Sequence, residues 1–192
     1  MTFHCPNAVR LPDIKESGYT LKNFWRALSS TSGKIVIEPQ SVWQEVVSGS
    51  AEGILFGGNI SCLCRLLGTP WDPITALPGI FGKGAKYLFF WEEVAEQFSE
   101  ILRNLWQIRN TGFFEHVSGM IVGKLTNVKE TDYENFPPKK ALIKEATERF
   151  GFPILYGVDF GHEVPQMTIP IGVKAFMDTK AKKLETLEPA VV

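Results

Sequence analysis

Long apolar runs are absent: no window approaches the ~20 consecutive apolar residues that a membrane helix requires. No basic segment followed by an apolar stretch resembles a secretory signal either. Cysteine is scarce. Cys5, Cys62 and Cys64 form an odd set with no C-x-x-C pair, which argues against a disulfide framework and a zinc ribbon and fits a reducing cytoplasm. Charge of one sign is also lacking: 20 Lys and Arg against 21 Asp and Glu leave a net charge of -1. No long-range field would therefore gather nucleic acid or an anionic membrane on this surface. His4 and His116 lie far apart and neither has a metal-ligand partner at helical or C-x-x-C spacing, so no zinc site is expected. The nucleophile-elbow pattern G-x-S-x-G occurs nowhere. Ser48-Gly49-Ser50-Ala51-Glu52-Gly53 comes nearest and has the wrong register, which leaves Ser50 and Ser61 poor nucleophile candidates.

What is present is ordinary globular material, with 44% hydrophobic and 21% charged residues in 192. That length suffices for one domain with a sizeable core, or for one domain plus the remnant of another. There is no internal repeat and no low-complexity tract. Residues 1 to about 18, with Pro6 and Pro12, read as irregular. Thr20 is placed to cap a helix whose apolar face is Leu21, Phe24, Trp25 and Leu28. Ser29 to Gln40, around a short Lys34-Ile35-Val36-Ile37 run, reads as a linker.

From Trp43 onward short apolar runs alternate with helical patterns. Gly53 to Gly57 reads as a buried strand, and Asn59 as the N-cap of a short helix from Ile60 to Leu67. A second strand, Tyr87 to Trp91, leads into an amphipathic helix that buries Val94, Phe98, Ile101, Leu102, Leu105 and Ile108 and stops at Gly112. Met120 to Val122 is a third strand, Lys139 to Phe150 a helix, and Pro153 to Tyr156 a fourth strand. Short β segments near Thr168-Ile169 and Val173 to Phe176 follow. Lys180, Lys182 and Lys183, balanced by Glu185 and Glu188, read as a solvated tail. Strands interleaved with helices imply an α/β layer structure whose β-rich end departs from a simple βαβ repeat.

Three blocks in order carry a family resemblance. Ala51-Glu52-Gly53-Ile54-Leu55-Phe56-Gly57-Gly58-Asn59 with Leu66-Leu67-Gly68-Thr69-Pro70 is the first. Leu88-Phe89-Phe90-Trp91-Glu92-Glu93 is the second, and Val158-Asp159-Phe160-Gly161-His162 with Ile169-Pro170-Ile171-Gly172 the third. Together they resemble the C-terminal domain of LD-carboxypeptidases and the related microcin C immunity peptidases, from Trp43 to Asp178. Upstream, Thr2-Phe3-His4-Cys5-Pro6 resembles the last strand of that family's nucleophile domain, with Cys5 in place of a glycine.

The resemblance implies a swivelling β/β/α-type C-terminal domain over residues 46–180. Residues 1–45 would be the remnant of a missing N-terminal nucleophile domain plus a linker, and 181–192 a tail. It further implies a Ser-Glu-His triad in which this chain provides Glu92 and His162, with Glu93 the competitor, while the missing domain provides the serine and the oxyanion hole. An imidazole must take the serine proton, and a carboxylate must hold that imidazole in the right tautomer. Glu52, Gly58, Asn59 and Trp71 are candidate substrate-binding residues; for Asn59 a helix cap, for Glu52 a structural ion pair and for Trp71 a core or rim aromatic are the alternatives. The expected substrate is a peptide with an amide next to a free carboxylate, either a murein tetrapeptide or a peptidyl-nucleotide antibiotic, cut without metal or organic cofactor. Homodimerisation stays open. The rival reading is a catalytically silent interaction domain from a truncated or split gene.

Overall fold

The computed structural model describes residues 2–10, 17–31, 34–129 and 137–191; Pro12 lies outside them. The chain opens with β1 (Thr2–His4) and a helix, α1 (Gly18–Ser29). Its N-cap is Ser17, whose hydroxyl accepts from the Thr20 backbone N–H, and not Thr20 itself. Thr20 is buried one turn in, where its Oγ1 accepts from Gln166 N at 2.9 Å. That contact rotates the helix so that Thr20, Asn23 and Ala27 face the core. The expected face of Leu21, Phe24 and Leu28 is only partly covered, and Trp25 is 59% exposed.

Two short strands follow, β2 (Val36–Ile37) and β3 (Gln44–Val47), then the long β4 (Ser50–Asn59). α2 (Ile60–Leu66) starts on Asn59 as anticipated, its Oδ1 accepting from Cys62 N at 3.0 Å. α3 (Pro73–Phe81) has no counterpart in the sequence reading, because Pro73, Pro78 and Gly79 look like loop material. It forms because Asp72 caps it and Pro73 sits in the first turn, where a missing N–H costs nothing.

β5 (Tyr87–Val94), α4 (Phe98–Asn110) and β6 (Val117–Thr126) come next. Val94 ends the strand instead of opening the helix. After them stand α5 (Lys139–Thr147), β7 (Ile154–Tyr156), β8 (Ile169–Ile171), β9 (Lys174–Asp178) and β10 (Lys183–Thr186). β10 corrects the solvated-tail reading: Leu184 and Thr186 are fully buried, while Lys183 and Glu185 alternate with them and pair at 3.1 Å. Period-two alternation, hidden by the charges, is what makes it a strand.

Eight strands form one sheet in the order β2-β10-β9-β4-β5-β6-β7-β3, and β1 pairs with β8 in a separate two-stranded ribbon. β4, β5, β6 and β7 run parallel, and the outer pairings are antiparallel. β2 and β3, from the segment read as linker and domain junction, are the two edges of this sheet. The pleat divides the core in two. Phe56, Phe89, Trp91, Met120 and Val122 pack with α2 to α5 on one face; Leu55, Leu88, Phe90, Ile121 and Phe160 pack on the other. Burial on both faces explains why β5 reads as an unbroken apolar run. β4 approaches β5 closely at Gly57, where a Cβ would stand 1.6 Å from the Phe90 carbonyl oxygen. No helix among the described residues is long and apolar enough to cross a membrane.

Candidate active site

In open parallel sheets, ligands bind outside the carboxyl ends of the strands. At that end of this sheet stand Asn59 of β4, Glu92 and Glu93 of β5, and Thr126 of β6. The same pleat that splits the core sends the two glutamates opposite ways. Glu92 follows Phe90 toward the face of Phe160, and Glu93 follows Trp91 toward α2.

Glu93 is buried within a full set of donors. It accepts from Asn59 Nδ2 at 2.6 Å, Ser61 N at 3.0 Å and Val94 N at 2.9 Å, and from the Ser61 hydroxyl. Asn104 Nδ2 in turn donates to Ser61 Oγ at 3.0 Å. With every lone pair engaged, Glu93 is a pin for the start of α2.

Glu92 is held chiefly by His162. Its Oε2 lies 2.7 Å from His162 Nδ1, while its Oε1 is buried with no partner among the described residues. Burial pushes the Glu92 carboxyl above its usual range; the His162 contact pulls it back, the neighbouring Glu93 adds to the rise, and the Asn59 amide lowers it slightly. The Glu92 side chain is 0% exposed and that of His162 48%, so the pair runs from the protein interior to an open ring. Nε2 of His162 makes no hydrogen bond among the described residues. A carboxylate held dry behind Nδ1, with Nε2 left open, can fix the imidazole tautomer and move a proton at its outer nitrogen.

The turn that carries His162 is held down along its length. Val158 N donates to Val122 O at 3.0 Å, Lys124 N to Phe160 O at 2.8 Å, and Met167 N to Asp159 O at 2.6 Å. Gly161 takes φ of +132°, and a Cβ there would sit 3.1 Å from Lys124 O and 3.5 Å from Glu92 Oε2. The positive φ is what selects glycine at this turn. Beneath it the buried Asp159 carboxylate accepts from Gln40 N at 2.8 Å, Ser41 N at 3.1 Å and Trp43 Nε1 at 2.8 Å, and also from the Ser41 hydroxyl. Residues 40–43 are thereby tied to the histidine turn.

His162 opens into a cleft of about 600 Å³ whose lining includes His4, Cys5, Thr126, Asn127 and Gln166. Two non-glycine residues adopt left-handed backbone at its edge, Ala95 at φ 60° and Asn127 at φ 50°, just past the ends of β5 and β6. Such conformations gather at functional sites. His4 stands edge-on to Phe90 and Phe160, with ring centroids 5.8 and 5.7 Å away. Burial, and then the neighbouring His162, push its imidazole down to about 4.

The other residues singled out in the sequence separate from one another. Asn59 pairs in register with Glu92, and its side chain caps α2, holds Glu93 and touches Glu92, which makes it a support of the two carboxylates. Gly58 is next to it, opposite Trp91 on β5. Glu52 lies exposed at the far end of β4, seven residues and roughly 23 Å of strand from Asn59; its motif spans the whole strand, and only the last residues reach the cleft. Trp71 is 79% exposed in the turn before α3 and does not line the cleft. Ser61, rejected as a nucleophile from its sequence context, is engaged with Glu93. His4 and Asp159 appeared in the sequence reading only inside motif blocks and, for His4, as a rejected metal ligand, and Thr126 not at all, since nothing local marks a residue that the fold brings to the cleft.

Comparison with known proteins gives this arrangement its family. A family model described as the LD-carboxypeptidase C-terminal domain matches residues 52–177, more than half of the chain. A protein of Bacillus subtilis (strain 168) named probable murein peptide carboxypeptidase is 30% identical over 191 residues, covering 100% of this chain and 57% of that protein. The microcin C7 self-immunity protein MccF of Escherichia coli is 27% identical over 194 residues, covering 94% of this chain and 52% of its own length. The chain thus spans about half the length of the curated relatives it matches. Among solved structures, MccF in complex with glutamyl sulfamoyl guanosine superposes with a TM-score of 0.80 at 20% identity, over 100% of this chain and 62% of that one. A muramoyltetrapeptide carboxypeptidase from Oxalobacter formigenes does so with 0.69 at 25%, over 88% and 54%. The α/β fold is therefore that of these proteins, and the chain belongs to the LD-carboxypeptidase family, whose C-terminal domain it carries.

Proposed function

We propose that this chain supplies the glutamate and histidine of a Ser-Glu-His triad to a serine carboxypeptidase that hydrolyses an amide next to a free carboxylate. The observation that carries this reading is the 2.7 Å contact between buried Glu92 and half-exposed His162. With the proton held on Nδ1 by Glu92, Nε2 accepts the proton of a serine hydroxyl as that oxygen attacks the scissile carbonyl. It then returns the proton to the leaving amine, and a water repeats the cycle to free the acyl group. Oxyanion-hole donors and the serine come from a nucleophile domain.

No serine lines the cleft beside His162 among the described residues. Cys5 lines it, but burial pushes its thiol pKa up, which starves it of the thiolate a nucleophile needs. The 192 residues alone are therefore expected not to turn over substrate. The names of the relatives point to two substrate classes, murein tetrapeptides and peptidyl or aminoacyl nucleotides, both cut at an amide. A reducing cytoplasm suits the three free cysteines.

The test is a hybrid in which this chain replaces the C-terminal half of the Bacillus subtilis relative. It is assayed for release of terminal D-alanine from murein tetrapeptide and of the amino acid from an aminoacyl sulfamoyl nucleoside. Turnover that falls on the order of 10⁴-fold or more with His162→Ala, and on the order of 10³-fold or more with Glu92→Gln, supports the reading. Turnover indifferent to His162→Ala defeats it.

A further inference from the structure

We propose that Lys124 is a positioning residue for the Glu92–His162 pair: bonded to the histidine turn on both sides of His162, and set in β6 opposite Glu92, it fixes where the imidazole meets the carboxylate. The proposal rests on the triad reading for the chemistry which that placement serves.

The first observation is where the turn is gripped. Lys124 N donates to Phe160 O at 2.8 Å, and Lys124 Nζ donates to Pro165 O, also at 2.8 Å. One residue thus holds the chain shortly before and shortly after His162. Between those grips the turn has little else. Among the described residues, no backbone N–H of 161–164 donates within the chain, and Pro165 O is the one carbonyl of 161–165 that accepts. The next anchor is Gln166 N, which donates to Thr20 Oγ1 at 2.9 Å.

The second is the strand register. β6 pairs with β5 through Val122↔Trp91 and Leu125↔Glu93, so Gly123 and Lys124 together stand opposite the single Glu92. An extra residue of this kind re-aims side chains and is frequent beside active sites. The turn also lies directly on this part of β6. A Cβ on Gly123 would be 2.7 Å from the Phe160 ring, and one on Gly161 would be 3.5 Å from Lys124 Cβ. Lys124 therefore spans the gap between the strand that carries Glu92 and the turn that carries His162.

The third is charge. The Lys124 side chain is only 12% exposed, with its ammonium 3.9 Å from an Asp159 carboxylate that already accepts from Gln40, Ser41 and Trp43. Burial lowers the Lys124 pKa, and Asp159 and Glu163 oppose that shift. A sequestered ammonium contributes little stability beyond that of an apolar side chain of like size, so its use here is geometric. Lys124 does not line the cleft, which keeps it off the substrate and leaves Pro165 O as the atom it holds.

The ring nitrogens of His162, read by proton–nitrogen correlation on the 15N-histidine-labelled 192-residue chain, test this without any turnover. Wild type is expected to carry the neutral proton on Nδ1. Lys124→Met keeps the stem and loses the donor, and should shift His162 to a mixture with a large share of Nε2–H. Lys124→Arg keeps a donor in reach of Pro165 O and should retain the wild-type pattern. A role confined to stability would leave the tautomer of the folded protein unchanged, and unperturbed core amides at Phe89 and Ile121 identify that folded state. Should Lys124→Met not fold, Lys124→Gln, one atom shorter, carries the same expectation. In the hybrid enzyme the loss should fall on kcat, on the order of 10- to 100-fold, with KM within about twofold. A wild-type tautomer pattern retained in Lys124→Met, or a loss carried by KM, would overturn the proposal; a wild type with its proton on Nε2 would instead remove the triad reading beneath it.

Discussion

Replacing His4 by phenylalanine should make the protein less sensitive to acid, and the size of the effect follows from where the ring sits. The imidazole is packed against Phe90 and Phe160, and burial with the adjacent His162 lowers its pKa from 6.5 to about 4. Between those two values the unfolded chain binds more protons at this position than the folded one does. Stability therefore rises with pH across the window, is fully present above about 6.5, and is lost as pH falls toward about 4. At roughly 1.4 kcal/mol per pKa unit, the loss approaches about 3 kcal/mol. Phenylalanine takes up no proton and fits the same aromatic slot, so that component disappears. Urea unfolding of both proteins from pH 7.5 to pH 4 isolates it, because all other titrating groups are shared. The wild-type stability should fall relative to His4→Phe by about 3 kcal/mol on acidification. A difference that stays flat across this range would refute the burial argument for His4.

Gly161→Ala should destabilise the fold by about 1–3 kcal/mol, since a φ of +132° strains any L side chain and Lys124 O would have to shift slightly to admit a Cβ; it should also displace His162 from Glu92, read as lost turnover in the hybrid enzyme. Glu93→Gln should cost roughly 2–4 kcal/mol in denaturant unfolding, because four donors converge on that carboxylate. Glu92→Gln should behave in the opposite way: burial raises the Glu92 pKa, so above its ordinary value of 4.5 the ionised form costs stability, and the variant should gain on wild type as pH rises from there. Asp159→Asn should cost about 3–5 kcal/mol by weakening a buried charge network, with faster hydrogen exchange at Gln40 and Ser41 as its local signature.

The central strands were legible in the sequence because parallel strands buried on both faces read as plain apolar runs, and α2 was legible because Asn59 has the right chemistry to cap it. β10 was not, because lysine and glutamate on its outer positions masked Leu184 and Thr186. Nor was α3, whose prolines and glycine read as loop. The face of α1 was misjudged because Thr20 is pinned by Gln166, a partner 146 residues away. Strand periodicity puts Glu92 and Glu93 on opposite faces, but with both faces buried it does not say which one meets His162; that choice needed the position of the 158–162 turn. Glu52 was picked for belonging to a motif, and a motif that spans a whole strand says little about which end meets the cleft; Trp71 was picked as an aromatic, and an aromatic residue type does not say which surface it stands on. His4 and Thr126 come to the cleft only when a ribbon strand and the end of β6 converge, a non-local event with no local mark.

The account turns on Glu92 holding the proton of neutral His162 on Nδ1, so that Nε2 is bare for a serine. Long-range proton–nitrogen correlation on 15N-histidine-labelled protein reads which ring nitrogen carries the proton, with His162→Gln to assign the signal. The pattern predicted for neutral His162 is Nδ1–H with a bare Nε2, lost in Glu92→Ala; a proton on Nε2 in the wild type, or a pattern indifferent to Glu92→Ala, would contradict it.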